Sequence, residues 1–457
     1  MKEKKAACRN VNENPCNMCM PMGGILALKG IENTMVVLHG SQGCSTYMRR
    51  HISEHFNEPV DVGSSSLNEK GTIYGGEKNL KQALDNVRKV YNPGVIGILT
   101  TCLAETIGED IGRFAEEYLQ EKNGEEIFLV TAPTPGYGGT QAEGYFFTAR
   151  RILTCLTKKS EKHNKINLIV SNISPADIRE IKRILNLMEI KYTLFPDFSD
   201  TMDRPFQRPY RKMTPEGTKI EDIRKMSGAP ATLQLGMTVE DALSPGKYLA
   251  ETFGVPLYNL PLPIGLENTD RFMEVLQEVT GKGLPDSLQQ ERGRLLDGMI
   301  DSHKYNFLGR AVLFGEPELV YALTRTCLEN GIHPVVVATG SRTAKLAELL
   351  QPYIEAAPEP VQILSGTDFA VIRKYGEAAE ANVAIGDSTG RYLEEKAGIP
   401  LIRIGFPILD RMGGHRLLSV GYTGTMAFLD RVTNTLLDSK LKPYRSRMYD
   451  TFYRKAT

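Results

Sequence analysis

The sequence contains no tryptophan, no long apolar run and no excess of charge of either sign. Its apolar runs, such as Val335–Ala338, are far shorter than the ~20 residues that cross a bilayer. No apolar stretch follows the lysines near the start of the chain, so no signal peptide is expected. These absences predict a cytoplasmic protein without a membrane partner, whereas the missing tryptophan excludes no class of protein.

The charge balance argues against nucleic acid as a partner. Lysine plus arginine and aspartate plus glutamate number 55 each, and the sequence pI is about 7.1. A protein that binds a phosphate backbone usually carries an excess of basic residues. With 457 residues, of which 41% are hydrophobic and 24% charged, the composition is typical of a globular protein of about three domains.

Short apolar segments alternate along the chain with longer segments of helical periodicity. Most of the short segments are apolar throughout, as in strands that are covered on both faces. Strands are predicted at Val95–Leu99, Ile127–Val130, Ile166–Val170, Thr232–Leu235, Ala311–Phe314, Val335–Ala338, Val383–Ile385 and Leu401–Ile404. Helices are predicted at Gly76–Tyr91, Ala176–Met188, Thr269–Thr280 and Glu318–Asn330. This alternation predicts an α/β fold with parallel, doubly wound (Rossmann-like) sheets.

Polar, turn-rich joints at Thr157–Lys165 and Asp301–Arg310 suggest where the domains meet. We therefore predict three α/β domains spanning residues 1–162, 163–306 and 307–457, the last with a C-terminal helix. The stretch Phe195–Thr218 has no regular period, and a loop of that length is usually functional or an interface arm.

Cysteine is scarce, and its distribution is uneven. The seven cysteines are Cys8, Cys16, Cys19, Cys44, Cys102, Cys155 and Cys327. An odd count in a reducing compartment does not indicate a disulfide framework. Five of the seven lie in the first 102 residues, close to glycine, proline or threonine, and Cys102 directly follows a predicted strand. Since α/β proteins place ligands at the carboxyl ends of parallel strands, this clustering indicates metal or thiol chemistry.

Four interpretations of the cysteines remain open from spacing alone. The Cys16/Cys19 pair with the distant Cys44 and Cys102 is typical of an iron–sulfur cluster. Structural zinc would require a second close pair, and a redox pair at Cys16 and Cys19 would require a preceding strand. The fourth interpretation is that all are unliganded thiols, which is how we interpret Cys8, Cys155 and Cys327.

A short rival motif occurs at His51-Ile-Ser-Glu54-His55. It matches the H-x-x-E-H pattern of one class of zinc peptidase, in which both histidines share a helical face. Charged residues crowd this segment and Pro59 soon follows. A solvated or interface-facing histidine pair is therefore the competing interpretation.

The cysteine segments are part of a longer series of matches that resembles the β-type chains of the nitrogenase component-1 superfamily. The matching pieces are "NPCNMCMPMGG", "LHGSQGCSTYMRRHISEHFNEPVD", "YGGEKNLKQAL", "TTCLAETIGEDI", "SPADIREIKRIL", "PLPIGLENTD", "ERGRLLDGMIDSHKY" and "IPLIRIGFPILDRMGG". They run through almost the entire chain in order. The resemblance implies the component-1 fold of three parallel-sheet α/β domains.

Two members of this superfamily fit the matches. In the catalytic molybdenum–iron protein, β-chain cysteines matching Cys19, Cys44 and Cys102 hold the P-cluster, [8Fe–7S], beside a serine in a Thr-Pro-Ser segment. Here the matching segment, Thr134–Gly136, lacks that hydroxyl. Together with "SSSLNEKGTIYGG" and the extra Cys16, this favours the β-type subunit of the cofactor assembly scaffold (the NifN type).

The resemblance to the scaffold also implies cofactors and partners. It implies an α₂β₂ heterotetramer with an α-type scaffold subunit (the NifE type) and a [4Fe–4S] cluster at the αβ interface. The β chain gives one ligand at the position of Cys44, and the α chain gives three. The iron–molybdenum cofactor precursor is held mainly by the partner, and the nitrogenase iron protein docks transiently. No catalytic residue is assigned, because such a chain is an assembly scaffold of oxidoreductase ancestry.

Several details remain expectations. Cys19, Cys102 and Cys16 are further candidates for iron or cofactor binding. His39 is expected either to bond near the Cys44 thiolate or to be an ordinary buried histidine, and the Gly40 and Gly43 amides are candidates to tune a cluster. The remaining alternative is an interaction subunit without a cluster, whose contact surface would be the Phe195–Thr218 arm and Gly405–Gly414, with an ion pair between Asp410 and Arg411.

Overall fold

The structure is a computed structural model that describes residues 15–122 and 127–453. Its helices are α1 (Met20–Lys29), α2 (Gln42–Phe56), α3 (Glu69–Tyr74), α4 (Glu77–Tyr91), α5 (Cys102–Thr106), α6 (Ile111–Glu121), α7 (Gln141–Leu156), α8 (Pro175–Leu187), α9 (Ile220–Lys225), α10 (Pro245–Phe253), α11 (Leu266–Thr280), α12 (Asp286–Asn306), α13 (Pro317–Glu329), α14 (Lys345–Ile354), α15 (Phe369–Ala378), α16 (Arg391–Ala397) and α17 (Gly421–Phe452). Its strands are β1 (Thr34–His39), β2 (Gly63–Ser64), β3 (Val95–Thr100), β4 (Phe128–Ala132), β5 (Ile166–Ile169), β6 (Tyr192–Phe195), β7 (Thr232–Leu235), β8 (Leu257–Leu260), β9 (Arg310–Gly315), β10 (His333–Thr339), β11 (Gln362–Ser365), β12 (Val383–Gly386) and β13 (Leu401–Arg403).

The strands form three parallel sheets, which confirms the predicted α/β class. The first sheet has the order β2-β1-β3-β4, the second β6-β5-β7-β8 and the third β11-β10-β9-β12-β13. Each predicted strand and helix overlaps an observed one. Central strands such as β1, β3 and β5 are buried along their whole length, as expected when helices cover both faces of a sheet. The domain boundaries at residues 162 and 306 stay a prediction.

The strand order of the third sheet reverses next to β9. The chain runs from β9 outward through β10 to β11, and then returns to the other side of β9 for β12 and β13. In open sheets of this kind, a crevice suited to a ligand lies outside the carboxyl ends of the strands at the point of reversal. The loops that follow β9, β10 and β12 border that crevice.

Helices α1 and α7 cross at very close range because two glycines lack side chains. A Cβ atom at Gly23 would overlap the carbonyl oxygen of Gln141, and one at Gly144 would overlap the carbonyl oxygen of Met20. Both helices are buried along most of their length. Since α1 begins directly after Cys19, this crossing sets the position of that cysteine.

The long helix α17 packs against α12. Its Thr433 hydroxyl donates to the Asn306 side-chain oxygen at 2.8 Å, and Phe428 and Val432 are fully buried. Of the helices within residues 15–122 and 127–453, none combines the length and apolarity needed to traverse a lipid bilayer.

The irregular Phe195–Thr218 arm is attached at both ends to the segment after α1. The backbone amides of Asp197 and Thr218 both donate to the Gly30 carbonyl oxygen, at 3.0 and 2.8 Å. Between these attachments Phe206 is 86% exposed. The arm therefore presents an apolar side chain on a firmly held loop.

Asp410, in the segment Gly405–Gly414, forms the expected ion pair with Arg411, but its closer partner is Arg403. The carboxylate lies 3.5 Å from Arg411 and 2.8 Å from Arg403. The Arg403 side chain is 9% exposed and that of Arg411 is 56% exposed, so the buried arginine makes the stronger contact.

His55 is a buried, neutral histidine at the junction between α2 and the chain after β13. Its Nδ1 atom accepts a hydrogen bond from the Ile408 amide at 2.9 Å. Burial, and to a smaller extent the neighbouring His415, lowers the pKa of His55 to about 3. In an unfolded chain the pKa of histidine is about 6.5. Below pH 6.5 the unfolded state therefore binds a proton that the folded state excludes, and stability falls as the pH falls.

We expect His55→Asn to remove this acid sensitivity, since its amide oxygen can still accept from Ile408. Between pH 7 and pH 5 the native chain should lose about 2 kcal/mol more unfolding free energy than the variant, because each pH unit below 6.5 costs about 1.4 kcal/mol. Urea denaturation of both proteins at the two pH values measures the difference. Buried carboxyl groups with raised pKa are common to both proteins and cancel. Equal losses would show that His55 is not the responsible group.

Candidate metal centre

Cys44 lies at the carboxyl edge of the first sheet. Strand β1 ends at His39, a short turn follows, and Cys44 sits in the first turn of α2. Its side chain is half-buried, and the Ser41 hydroxyl lies 3.9 Å from its sulfur. Cys44 is thus placed at the N-terminal end of a helix that follows the carboxyl end of a central strand.

Cys102 lies beside Cys44 because their strands are neighbours. In the pairing of β1 with β3, His39 is opposite Thr100, so the loops that carry the two cysteines leave the same edge of the sheet. The Thr101 amide donates to the His39 carbonyl oxygen at 3.1 Å and ties the loops together. Cys102 then opens α5 with its side chain exposed.

Cys19 reaches the same edge from a different part of the chain. It caps the N-terminus of α1 and forms an isolated antiparallel bridge with Thr140. Its side chain is exposed. Partial burial of the sulfur raises the pKa of the Cys19 thiol, and the nearby Cys102 and Cys44 raise it further. The Cys19 thiol therefore lies near those of both Cys102 and Cys44.

Gly136 lies between two of these sulfur atoms. A Cβ atom added at this glycine would lie 2.8 Å from the Cys19 sulfur and 3.2 Å from the Cys102 sulfur, closer than ordinary contact. The Gly136 amide lies 3.1 Å from the Cys102 sulfur and donates to it. The missing side chain thus allows the thiols to approach, and the amide supplies a hydrogen bond of the type that stabilises a thiolate bound to iron.

Three thiols with an amide donor fit a group larger than one metal ion. Within the part of the chain that the structure describes, no three His, Cys, Asp or Glu side chains close around a single ion. In an iron–sulfur cluster, separate thiolates bind separate irons, so the sulfur atoms need not converge on one point. Among the ligand types considered, the donor set suits a cluster better than mononuclear zinc, which requires four ligands at one centre.

Buried hydrogen bonds hold the loop that leads from β1 to Cys44. His39 is fully buried, with Nδ1 2.9 Å from the Ser65 hydroxyl and Nε2 3.1 Å from Glu109. The Gly40 amide donates to the same Ser65 hydroxyl at 3.0 Å. Burial lowers the pKa of His39, although Glu109 opposes the shift.

This network bears on two of the expectations from the sequence. His39 bonds to Ser65 and Glu109 instead of to a thiol, and the Gly40 amide already donates to the Ser65 hydroxyl. Sequence reasoning missed Ser65 and Glu109, which are 26 and 70 residues from His39. No local pattern marks them, because only the fold brings them together.

The structure does not bring Cys16 to the other three cysteines. It is 4% exposed and packs with Phe314 and Phe369 of the third sheet's core cluster. Burial, and then Asp387, raises the pKa of the Cys16 thiol well above its usual range. Cys16 is therefore a buried neutral thiol in this structure.

The remaining cysteines lie away from the site. Cys155 is exposed on α7, with its sulfur 3.5 Å from the Leu129 carbonyl oxygen, and Cys327 is buried in α13. Cys8 lies outside the described residues.

The His51–His55 motif does not assemble a metal site. His51 bonds to the Tyr47 carbonyl oxygen at 3.0 Å, Glu54 pairs with Arg50 at 2.8 Å, and His55 is buried against Ile408. The two histidines therefore have different environments and different partners. The peptidase interpretation finds no support in this geometry.

A cavity of about 820 Å³ opens beside Cys19. Its lining includes Cys19, Tyr47 and Gly136 from the first-sheet side, Glu240 after β7, and Arg342 after β10. Loops from the carboxyl edges of all three sheets thus border one space, the usual location of ligands in parallel α/β folds.

Comparison with known proteins agrees with this architecture. Residues 19–437 match the family model described as "Nitrogenase component 1 type Oxidoreductase". The nitrogenase molybdenum-iron protein beta chain of Clostridium pasteurianum is 36% identical over 431 residues, which cover 93% of each chain. The protein of the same name from Methanococcus maripaludis is 34% identical over 438 residues, covering 93% of this chain and 94% of the relative.

Solved structures show the same relationship. A chain of "Nitrogenase Cp1 at pH 6.5" superposes with a TM-score of 0.90 at 35% identity, over 96% of this chain and 95% of that one. A chain of "Nitrogenase Cp1 at pH 5" has a TM-score of 0.69 at 15% identity, over 94% and 90%, and this likeness concerns the fold alone. On the family match, the identities and the common fold, the chain belongs to the nitrogenase component 1 type oxidoreductases, as a β-type subunit.

Proposed function

We propose that this β-type subunit holds an iron–sulfur cluster through Cys44, with Cys19 and Cys102 as further candidate ligands, at a surface that it shares with an α-type subunit. The observation that carries the proposal is that the Cys19 thiol lies near those of Cys44 and Cys102 at one sheet edge, with Gly136 against the sulfur atoms of Cys19 and Cys102. When bound, such a cluster would store and transfer electrons. The chain's own part is to present the thiolates and to donate the Gly136 amide.

The exposure of the thiols supports a site that a partner completes. Cys19 and Cys102 are exposed, and beside them Tyr47 and Tyr137 are 48% and 66% exposed. Aromatic side chains left in solvent around a cofactor site are typical of an interface. We infer that an α-type chain covers this face, supplies the remaining ligands and forms an α₂β₂ heterotetramer with the β-type chain.

The specific role that we propose is assembly of the iron–molybdenum cofactor. In this role the complex is a scaffold, the cluster is [4Fe–4S], the precursor sits mainly in the α-type partner, and the iron protein docks transiently. Gly136 supports the scaffold role, because it stands where the catalytic chain is expected to have a serine hydroxyl. In its place the structure has only a backbone amide beside the Cys102 sulfur.

A second candidate function is that of a catalytic molybdenum–iron protein β chain with an [8Fe–7S] P-cluster. Two observations favour it. Cys19 lies near both Cys44 and Cys102, whereas a scaffold cluster with a single β-chain ligand would need neither Cys19 nor Cys102. The cited relatives with 34–36% identity also carry the catalytic chain's name.

An anaerobic co-purification with the α-type subunit tests the proposal. A scaffold should absorb near ~400 nm, contain about four interface irons per αβ pair, and activate a cofactor-free catalytic protein when molybdenum, homocitrate, iron protein and ATP are supplied. A catalytic complex should instead reduce acetylene when iron protein, ATP and a chemical reductant are supplied, without any added catalytic protein, and should contain about eight interface irons. A colourless, iron-free complex would reject both roles and favour the interaction subunit.

A further inference from the structure

We propose that the carboxyl edge of the third sheet binds the chain's own segment Pro15–Met18, and that this attachment positions Cys19. In this arrangement Cys16 is a buried anchor instead of an iron ligand. The inference rests on the proposed function for the role of Cys19. The attachment of the segment to the third sheet is supported by contacts within this chain alone.

The segment occupies the place where an open parallel sheet usually binds a ligand. The third sheet reverses its strand order at β9, and Cys16 lies against the backbone of Gly315 at the end of β9 and of Gly340 after β10. Asp387, which follows β12, is also close to its thiol. The chain's own N-terminal segment therefore fills the crevice at the switch point, where other folds of this type hold a separate ligand.

Backbone contacts hold the segment in that crevice. The Cys16 amide donates to the Thr367 carbonyl oxygen at 3.3 Å, and Pro15 forms an antiparallel bridge with Asp368. The Asn17 side-chain amide donates to the Gly340 carbonyl oxygen at 3.2 Å. A Cβ atom at Gly340 would overlap the carbonyl oxygen of Cys16, so the two chain segments touch without any side chain between them.

The other end of the segment is held by the start of α7. The Met18 amide donates to the Gln141 side-chain oxygen at 2.7 Å, and the Gln141 amide donates to the Met18 carbonyl oxygen at 3.1 Å. The Thr140 hydroxyl lies 2.8 Å from the Ser341 hydroxyl, so the start of α7 is joined directly to the loop after β10. Since Cys19 is the next residue, its position depends on the third sheet as well as on the first.

The environment of Cys16 suits an anchor and does not suit a ligand. Its side chain is 4% exposed, belongs to the same core cluster as Phe314 and Phe369, and has the Asp387 carboxyl nearby. A thiol must lose its proton to bind iron, and burial together with a neighbouring carboxyl outweighs the backbone hydrogen bonds and opposes that charge. The residue fills space in the core and keeps the adjoining backbone at the crevice.

The test is Gly340→Ala in the αβ complex, with Gly293→Ala as the matched control. A Cβ atom at Gly293, in α12, meets nothing within 4 Å. We expect Gly340→Ala to push the segment out, so that iodoacetamide labels Cys16 at least about tenfold faster than in the native or control protein, because local opening sets that rate. The iron content should fall in the same preparation. Circular dichroism melting of both variants verifies that they are folded.

A second variant, Cys16→Ala, separates the anchor from a ligand. If Cys16 positions Cys19 mainly through backbone contacts, Cys16→Ala keeps most of the iron, whereas Gly340→Ala loses it. The opposite pattern, with iron lost in Cys16→Ala and kept in Gly340→Ala, would overturn the proposal. Unchanged labelling of Cys16 in folded Gly340→Ala would also overturn it. Should Gly340→Ala fail to fold, Asn17→Ala, which removes only the bond to the Gly340 carbonyl, takes its place with the same expected direction.

The two proposals fail in different ways. If the native complex contains no iron, the proposed cluster is wrong, but the labelling rates of Cys16 still show whether the third sheet holds the segment Pro15–Met18. If iron is present and depends on Cys44 but not on Gly340, the cluster stands and the positioning role is wrong.

Discussion

Replacing Cys44 by alanine should remove most of the interface iron from the anaerobically purified αβ complex. The variant deletes the sulfur that we place at the first turn of α2, and the Ser41 hydroxyl, 3.9 Å from that sulfur, is a weaker iron ligand than a thiolate. Absorbance near ~400 nm, which arises from thiolate-bound iron–sulfur clusters, should fall with the iron. Iron analysis and the absorption spectrum measure both effects.

Cys155→Ala is the matched control for this experiment. Cys155 is another free cysteine, but it is exposed on α7 and its sulfur lies 3.5 Å from the Leu129 carbonyl oxygen. The control should keep its iron and its spectrum. The Cys44 loop is held by Ser65 through the Gly40 amide, so the alanine variant should keep its backbone. Unchanged iron in folded Cys44→Ala would refute the assignment of this residue as a ligand.

Replacing Gly23 by valine should destabilise the chain by at least about 3 kcal/mol, because overpacking here involves backbone that has no room to move. A Cβ atom at this position already overlaps the Gln141 carbonyl oxygen, and the two helices α1 and α7 would have to separate. We expect a lower melting temperature, or loss of soluble protein, together with loss of iron. Thermal denaturation and the yield of soluble complex measure the effect.

Gly293→Ala serves again as the control for this substitution. It lies within a helix and meets no neighbour, so the higher helix propensity of alanine should leave stability unchanged or raise it by up to about 1 kcal/mol. A folded Gly23→Val protein with native melting temperature would show that the close crossing of α1 and α7 is not required for stability.

The observed strands that were not predicted from the sequence show where apolar periodicity is a weak signal. Four of them, β2, β6, β8 and β11, lie at sheet edges in the described chain and are short. An edge strand has fewer apolar neighbours, so its sequence is less distinctive than that of a central strand. β1 is central and buried along its whole length, and it was not predicted although its sequence is largely apolar.

The candidate site was only partly predictable. Residue type, spacing and resemblance singled out Cys19, Cys44 and Cys102, and the structure places their thiols near one another. The same reasoning added Cys16, which lies three residues before the exposed Cys19 but is buried in the third sheet's core. A Cys-x-x-Cys spacing specifies proximity along the chain, whereas burial and side-chain direction depend on what packs against each residue.

By itself, the amino-acid sequence determined the α/β class, most of the central buried strands and the identity of the thiols, because hydrophobic periodicity and residue chemistry are local properties. Tertiary structure alone decided that β1 and β3 pair side by side, that Ser65 and Glu109 support His39, and that Gly136 separates two sulfur atoms. It also decided that the third sheet holds the segment before Cys19. These arrangements join residues far apart in the chain, and only the packing of complete helices and sheets brings them into contact.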